Sequence, residues 1–331
     1  MDIKSCVHDT KSEKTFLETI IKTLRDYLAS EKPYGEGSFD KITVTQIEKI
    51  CFFTTRRLKV PATTSWYIFG GYCHNSVVRK NSIALIAKVN EKNLCMDHAK
   101  DISSTMEDYI KESKVFHLNP YDYMMDMYAN EAPQEYKQLY LTHYPYINCI
   151  REYKEYLRKY LDDPINFKTT NICKKFSELK ENFQRVYYNM EEFADIHDMQ
   201  NEYNFLLEQV AYKIDYITQD NYRFPEEQLD EIKEYLKNLR DYYQNYVWGT
   251  SALQISTKTV TGISAKKTKT DNSIRKNQNK KQLPEKLEEY KKKAGYYNLL
   301  PSSSELAEHF GIRGKEHDEA ILGLQNAYSR Q

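Results

Sequence analysis

A mainly α-helical fold is predicted by three features of this chain. Glycine and proline are scarce, 10 and 9 of 331 residues, about half the roughly 12% of an average protein, so turns are few and elements long. Apolar residues recur every three or four positions over most of the length, the period of a helix face. Twenty-nine tyrosines supply rings that fill helix seams while their hydroxyls reach partners.

Residues 1–149 read as a compact helical domain. Phe16, Leu17, Ile20, Ile21, Leu24, Tyr27 and Leu28 mark an amphipathic helix over about 12–29, closed by Pro33 and Gly35. Thr45 and Glu48 form a capping box for a second helix that Pro61 stops. Ser65 to Phe69, before Gly70 and Gly71, has strand composition. Further helices are expected near 76–90, 97–114, 120–129 and 133–142, with Pro120 and Pro133 at helix starts.

Residues 150–249 predict a long antiparallel, coiled-coil-like hairpin. Ile172, Phe176, Leu179, Phe183, Val186, Met190 and Phe193 keep heptad spacing. Continuing that register gives His197, Gln200 and Asn204, whereas a one-residue slip restores Ile196, Met199, Tyr203, Leu206 and Val210. With no Gly or Pro at the slip, a distorted but nearly continuous helix is expected. A second seam of Leu229, Ile232, Leu236, Leu239, Tyr243 and Tyr246 is expected to end at a left-handed Gly249. The stripe is expected to be buried either within the chain or against a second copy, the latter a homo-oligomer through 168–248.

Charge singles out one stretch. The chain balances 48 basic against 48 acidic residues, but Lys258, Lys266, Lys267, Lys269, Arg275, Lys276, Lys280 and Lys281 face Asp271 alone between 250 and 281. This composition predicts a flexible basic linker over 250–282, able to neutralise phosphates weakly and without reading bases. A small helical C-terminal unit, 283–331, follows, opened by Pro284. Its stretch from Ser304 to Ile312 has the form of half a helix-turn-helix, but Glu316, Asp318 and Glu319 fall where a recognition helix would meet phosphates. A DNA-binding regulator is therefore one alternative.

Metal chemistry is the other. Cys73, His74, Cys95 and His98 are four zinc-type ligands, though adjacent Cys73 and His74 converge poorly on one ion. His197 and Asp198, with His143 and either Asp215 or Asp230, are the residues from which a helical HD-like phosphohydrolase or nuclease would be assembled. The preferred reading makes His197 a register residue and assigns no catalytic residue, cofactor or metal. The polar start lacks a signal peptide's apolar core, no apolar run nears the roughly 20 residues of a membrane span, and six cysteines lack a CxxC pair. A cytoplasmic protein without membrane association or disulfides is expected.

Ile47 to Phe53, followed by Pro61, Thr63, Thr64, Ser65, Trp66, Tyr67 and Gly70, resembles the opening of the Panacea-type antitoxin domain over residues 45–80. Gly70-Gly71 departs from that family's usual Gly-Pro step. The resemblance implies a non-enzymatic protein that regulates a partner, and it transfers no catalytic residue. The sequence thus predicts a helical binding protein acting through protein–protein contacts, with auxiliary nucleic-acid association.

Overall fold

The computed structural model describes residues 3–35, 41–74, 96–163, 172–219, 224–302 and 305. Among these the chain is mainly α-helical, with one two-stranded sheet. It divides into two compact units: Met1–Tyr144, Asn189–Ala194 and Gln244–Lys281 form the first, and Pro145–Tyr188, Asp195–Tyr243 and Gln282–Gln331 the second. The basic residues from Lys258 to Lys281 therefore belong to the first unit.

In the first unit, α1 (Thr10–Glu31) starts at Asp9, whose carboxylate accepts from the Ser12 amide at 2.7 Å, and it buries the predicted stripe from Phe16 to Leu28 except for half-buried Tyr27. Helix α2 (Val44–Arg57) is capped by Thr43 with Gln46, two residues ahead of the expected box. The Thr-x-x-acceptor pattern occurs twice in tandem here, and the earlier copy satisfies the amides of a longer helix. The stretch of strand composition is the first arm of a hairpin: β1 (Thr64–Tyr67) pairs antiparallel with β2 (Gly70–Cys73), with Tyr67 opposite Gly70. Gly70 takes φ +88°, and a side chain on Gly71 would strike the Phe52 ring, so each glycine is required for its own reason.

Helices α3 (Ala99–Ser113), α4 (Pro120–Glu131) and the start of α5 (Lys137–Asp162) follow. The helix expected at 76–90 lies outside the described residues. Trp66 is fully buried, with Phe52, Tyr128 and Tyr140 at ring-centroid distances of 6.0, 6.5 and 5.6 Å. The Tyr140 hydroxyl donates to the Tyr67 carbonyl at 2.5 Å, so the ring fills core while its polar end is satisfied.

In the second unit the expected continuous helix is two helices. Between α6 (Ile172–Tyr187) and α7 (His197–Gln219) the chain passes through a turn and a short 3-10 segment, Glu191–Ile196. Ser177 bonds Glu208 at 3.3 Å and Gln184 bonds Asn201 at 3.3 Å, an antiparallel register. The register slip in the sequence is thus a reversal of direction. Both stripes around the slip are buried: Tyr203, Leu206 and Val210 pack as apolar residues, while Gln200 and Asn204 join Tyr146 and Tyr243 in buried hydrogen bonds of 2.8–3.0 Å.

Helix α8 (Leu229–Tyr242) buries Ile232, Leu236 and Leu239. It continues through a π-helical turn, Tyr243–Val247, into α9 (Trp248–Thr259). Gly249 accordingly lies inside a helix without a left-handed φ, not at a terminus. Buried Trp248, Ala252, Leu253 and Ile255 carry the helix on, and their packing overrides the stop signal of one glycine. The seam residues Phe176, Phe183, Ile232 and Leu239 are covered by the chain itself, so a second copy is not needed to bury them.

Candidate nucleic-acid interface

The segment 250–282, expected as a flexible linker, is ordered helix. After α9 come a short turn and α10 (Ala265–Tyr296), which runs through Pro284. Proline there supplies no amide to the preceding turn, yet buried Leu283 and Leu287 on either side hold the helix together.

The α9–α10 turn is anchored to the hairpin of the first unit. Thr64 and Thr261 exchange backbone hydrogen bonds of 3.1 and 2.9 Å, and the Ile263 amide donates to the Pro61 carbonyl at 2.9 Å. Gly262 sits at φ +102°, and a Cβ there would collide with the Ala62 carbonyl. From this anchor α10 returns along α9 over a polar seam. Asn272 donates to Ser256 at 2.9 Å, Lys276 to Gln254 at 3.1 Å and Asn279 to Thr250 at 3.1 Å. The spacing on α10 is four then three, a helical stripe, and it pairs with residues descending along α9, as antiparallel helices require. Ser256 also meets Ser65 at 2.8 Å, which in turn meets His74 Nε2 at 2.7 Å.

The seam turns the cations outward. Lys266, Lys267, Lys269, Arg275 and Lys281 are exposed, and no acidic side chain among the described residues pairs with any of them. Beyond Pro284 the same helix pairs Lys286 with Glu289, Lys291 with Glu288 and Lys293 with Glu289. The contrast lies in composition: acids are supplied in the second half and withheld from the first. Lys266 and Lys267 lie in the first turn, which contains no acid, and Lys269 follows directly. Cations are disfavoured at that positive end of the helix dipole, and anions are favoured. Lys258 is exposed on α9, whereas Lys276 and Lys280 are half-buried, so Lys276 serves the seam.

The other candidate residues are not gathered into a site. Cys73 is buried, and burial pushes its thiol up; His74 is engaged by Ser65; His98 is buried where α3 begins; Cys95 lies outside the described residues. His197 packs between the rings of Tyr187 and Tyr188, at 5.2 and 4.9 Å, while Asp198 is exposed. His143, in the first unit, stacks on Trp248 at 3.7 Å, and burial lowers its imidazole to about 3. No group of three or more His, Cys, Asp or Glu suited to a metal occurs among the described residues. No helix among them is long and apolar enough to cross a membrane. The proposed recognition half of the helix-turn-helix lies outside the described residues; Glu305, from its start, accepts from Lys213.

Sequence reasoning located the basic residues but missed their order and the seam that orients them. Two signals were present: the absence of Pro between Val260 and Leu283 with Gly262 alone as a breaker, and the helical spacing of Asn272, Lys276 and Asn279. Both were masked because the buried stripe is polar.

Comparison with curated proteins and with solved structures found no match. A family model described as "Domain of unknown function (DUF8098)" matches residues 86–328, well over half of the chain and inclusive of α9 and α10. The chain therefore belongs to the DUF8098 family.

Proposed function

We propose that this protein is a non-enzymatic helical binding protein that engages nucleic acid through the basic face of α10. The observation that carries the reading is the set of exposed cations left without acidic partners among the described residues on the first half of a helix whose second half is laced with ion pairs. Such cations neutralise phosphates and release condensed counterions. Their helical placement favours a preorganised contact over the loose tether that composition alone implies. The likeness of residues 45–80 to the antitoxin domain is in keeping with a regulatory role and with a protein partner. Among the described ones, Ile47, Phe52, Thr63 and Trp66 are buried core residues.

The test is titration of a labelled DNA duplex with the full chain and with K266E/K267E/K269E, followed by fluorescence anisotropy. The three residues are exposed at the positive end of the helix dipole, where Glu is favoured, so circular dichroism should match the unsubstituted protein and melting should be no lower. Binding should weaken for every duplex tried. Equal binding by both proteins would remove α10 as the contact surface.

A further inference from the structure

The outward stripe of α10 carries more than charge. Residues diametrically opposite the buried Thr268, Asn272 and Leu283 follow one another at intervals of four, four, three and four: Lys266, Thr270, Ile274, Asn277 and Lys281, with Gln278 beside Asn277. All are exposed. At this spacing they lie along one line of the helix surface. Cations stand at both ends, about 22 Å apart at 1.5 Å per residue. Between them lie a hydroxyl, a branched aliphatic side chain and two carboxamides.

We propose that this stripe reads base edges in the major groove of duplex DNA, an inference that rests on α10 being the nucleic-acid-binding face. Carboxamides can bond adenine N6 and N7 together, and the methyls of Thr and Ile can pack on the C5-methyl of thymine. A B-form major groove about 12 Å wide admits an α-helix, and the terminal lysines are placed to meet the flanking phosphates. Ile274 is 51% exposed, an isolated apolar side chain amid cations, and a thymine methyl gives it a partner. Competing polyanions fit less well. The stripe has no aromatic ring for stacking single-stranded bases, and the major groove of A-form RNA is too deep and narrow for a helix. One exposed aliphatic residue is too little for a membrane surface. Beyond Pro284 the exposed Glu285 and Glu288 repel phosphates, so the readable stretch ends at Lys281. Asp271 lies on the flank of the stripe.

The seam fixes which side chains can read. Asn272, Lys276 and Asn279 are committed to α9, so the amides available to bases are Asn277 and Gln278. A helix held by hydrogen bonds at three successive points presents its outer side chains at a defined rotation, which base readout demands and phosphate neutralisation does not.

The experiment is selection of the full-length protein on a randomised duplex library, then anisotropy titrations of the enriched duplex and a scrambled one at a single salt concentration. Enrichment of a short motif containing A·T pairs is expected. The N277A/Q278A variant should lose roughly 5- to 150-fold of its preference for the enriched duplex, with scrambled-duplex binding and thermal melting unchanged. K266E/K267E/K269E should weaken both duplexes alike. No enriched motif, an unchanged preference in N277A/Q278A, or tighter binding of single strands or RNA overturns base readout. If the lysine reversal still weakens every sequence in those cases, the phosphate-binding reading survives on its own. Duplex binding indifferent to the lysine reversal removes both.

Discussion

Lys49 shows how a single buried residue sets a measurable property of the whole first unit. It is 1% exposed on α2, and its ammonium donates to the Gly71 carbonyl at 2.7 Å. Burial lowers its pKa from 10.5 to about 8, opposed by the nearby Glu48 and Cys73. Because the folded-state pKa lies below the unfolded one, the unfolded chain binds more protons between about pH 8 and 10.5. Stability contributed through this group therefore rises with pH across that window and is lowest below pH 8. The net penalty at neutral pH is up to about 3 kcal/mol. Lys49→Met should raise the urea midpoint at pH 7 and show a smaller advantage at pH 9.5. A constant difference across that range would mean that Lys49 is not titrating on unfolding. Buried tyrosines such as Tyr128 and Tyr146, whose hydroxyls are pushed up by burial, act in the opposite direction above about pH 10.

Among the elements, the α9–α10 hairpin is where a polar seam replaces an apolar one, so its order depends on hydrogen bonds that can be removed one pair at a time. Removing both partners of one rung, in S256A/N272A, should speed amide exchange over 265–281 and weaken DNA binding with no change in net charge. Unaltered exchange would mean that the seam does not hold the helix. Gly262→Val should loosen the same helix by another route. Its left-handed φ and the Ala62 carbonyl leave no room for a side chain, and a cost of at least 1–3 kcal/mol is expected, read as a lowered melting temperature. In the second unit, Phe183 is fully buried and stacks on Tyr146 at 5.4 Å. Phe183→Ala should cost about 3–5 kcal/mol, whereas a shift below 1 kcal/mol in denaturant unfolding would contradict the packing of α6 there.

These elements also show what the sequence could and could not reveal. Helices α1, α3 and α4 were legible because their stripes are apolar, and α4 also because its cap is ordinary, with Asn119 ahead of Pro120. The reversal between α6 and α7 was not, since Gly and Pro are absent there and the turn is built from Asn189 and a 3-10 segment. The stop at Gly249 failed because a buried Trp248 face overrode it. The candidate site was half legible: lysine density marked its place, but a stripe of Asn272, Lys276 and Asn279 has no hydrophobic period to announce a helix. Polar back and basic front together read as disorder.

For the molecule as a whole, the balance of 48 basic and 48 acidic residues means that net charge gives no attraction toward DNA. Any binding must come from the local field of α10, and the rest of the chain carries the compensating negative charge. The most direct test is the salt dependence of duplex affinity, measured for the full chain and for K266E/K267E/K269E. With up to five exposed cations on α10, the slope of log K against log salt should be at most roughly −4 to −5, falling to roughly −2 in the variant. A slope near zero, or the same slope in both proteins, would contradict the assignment of α10 as the nucleic-acid-binding element.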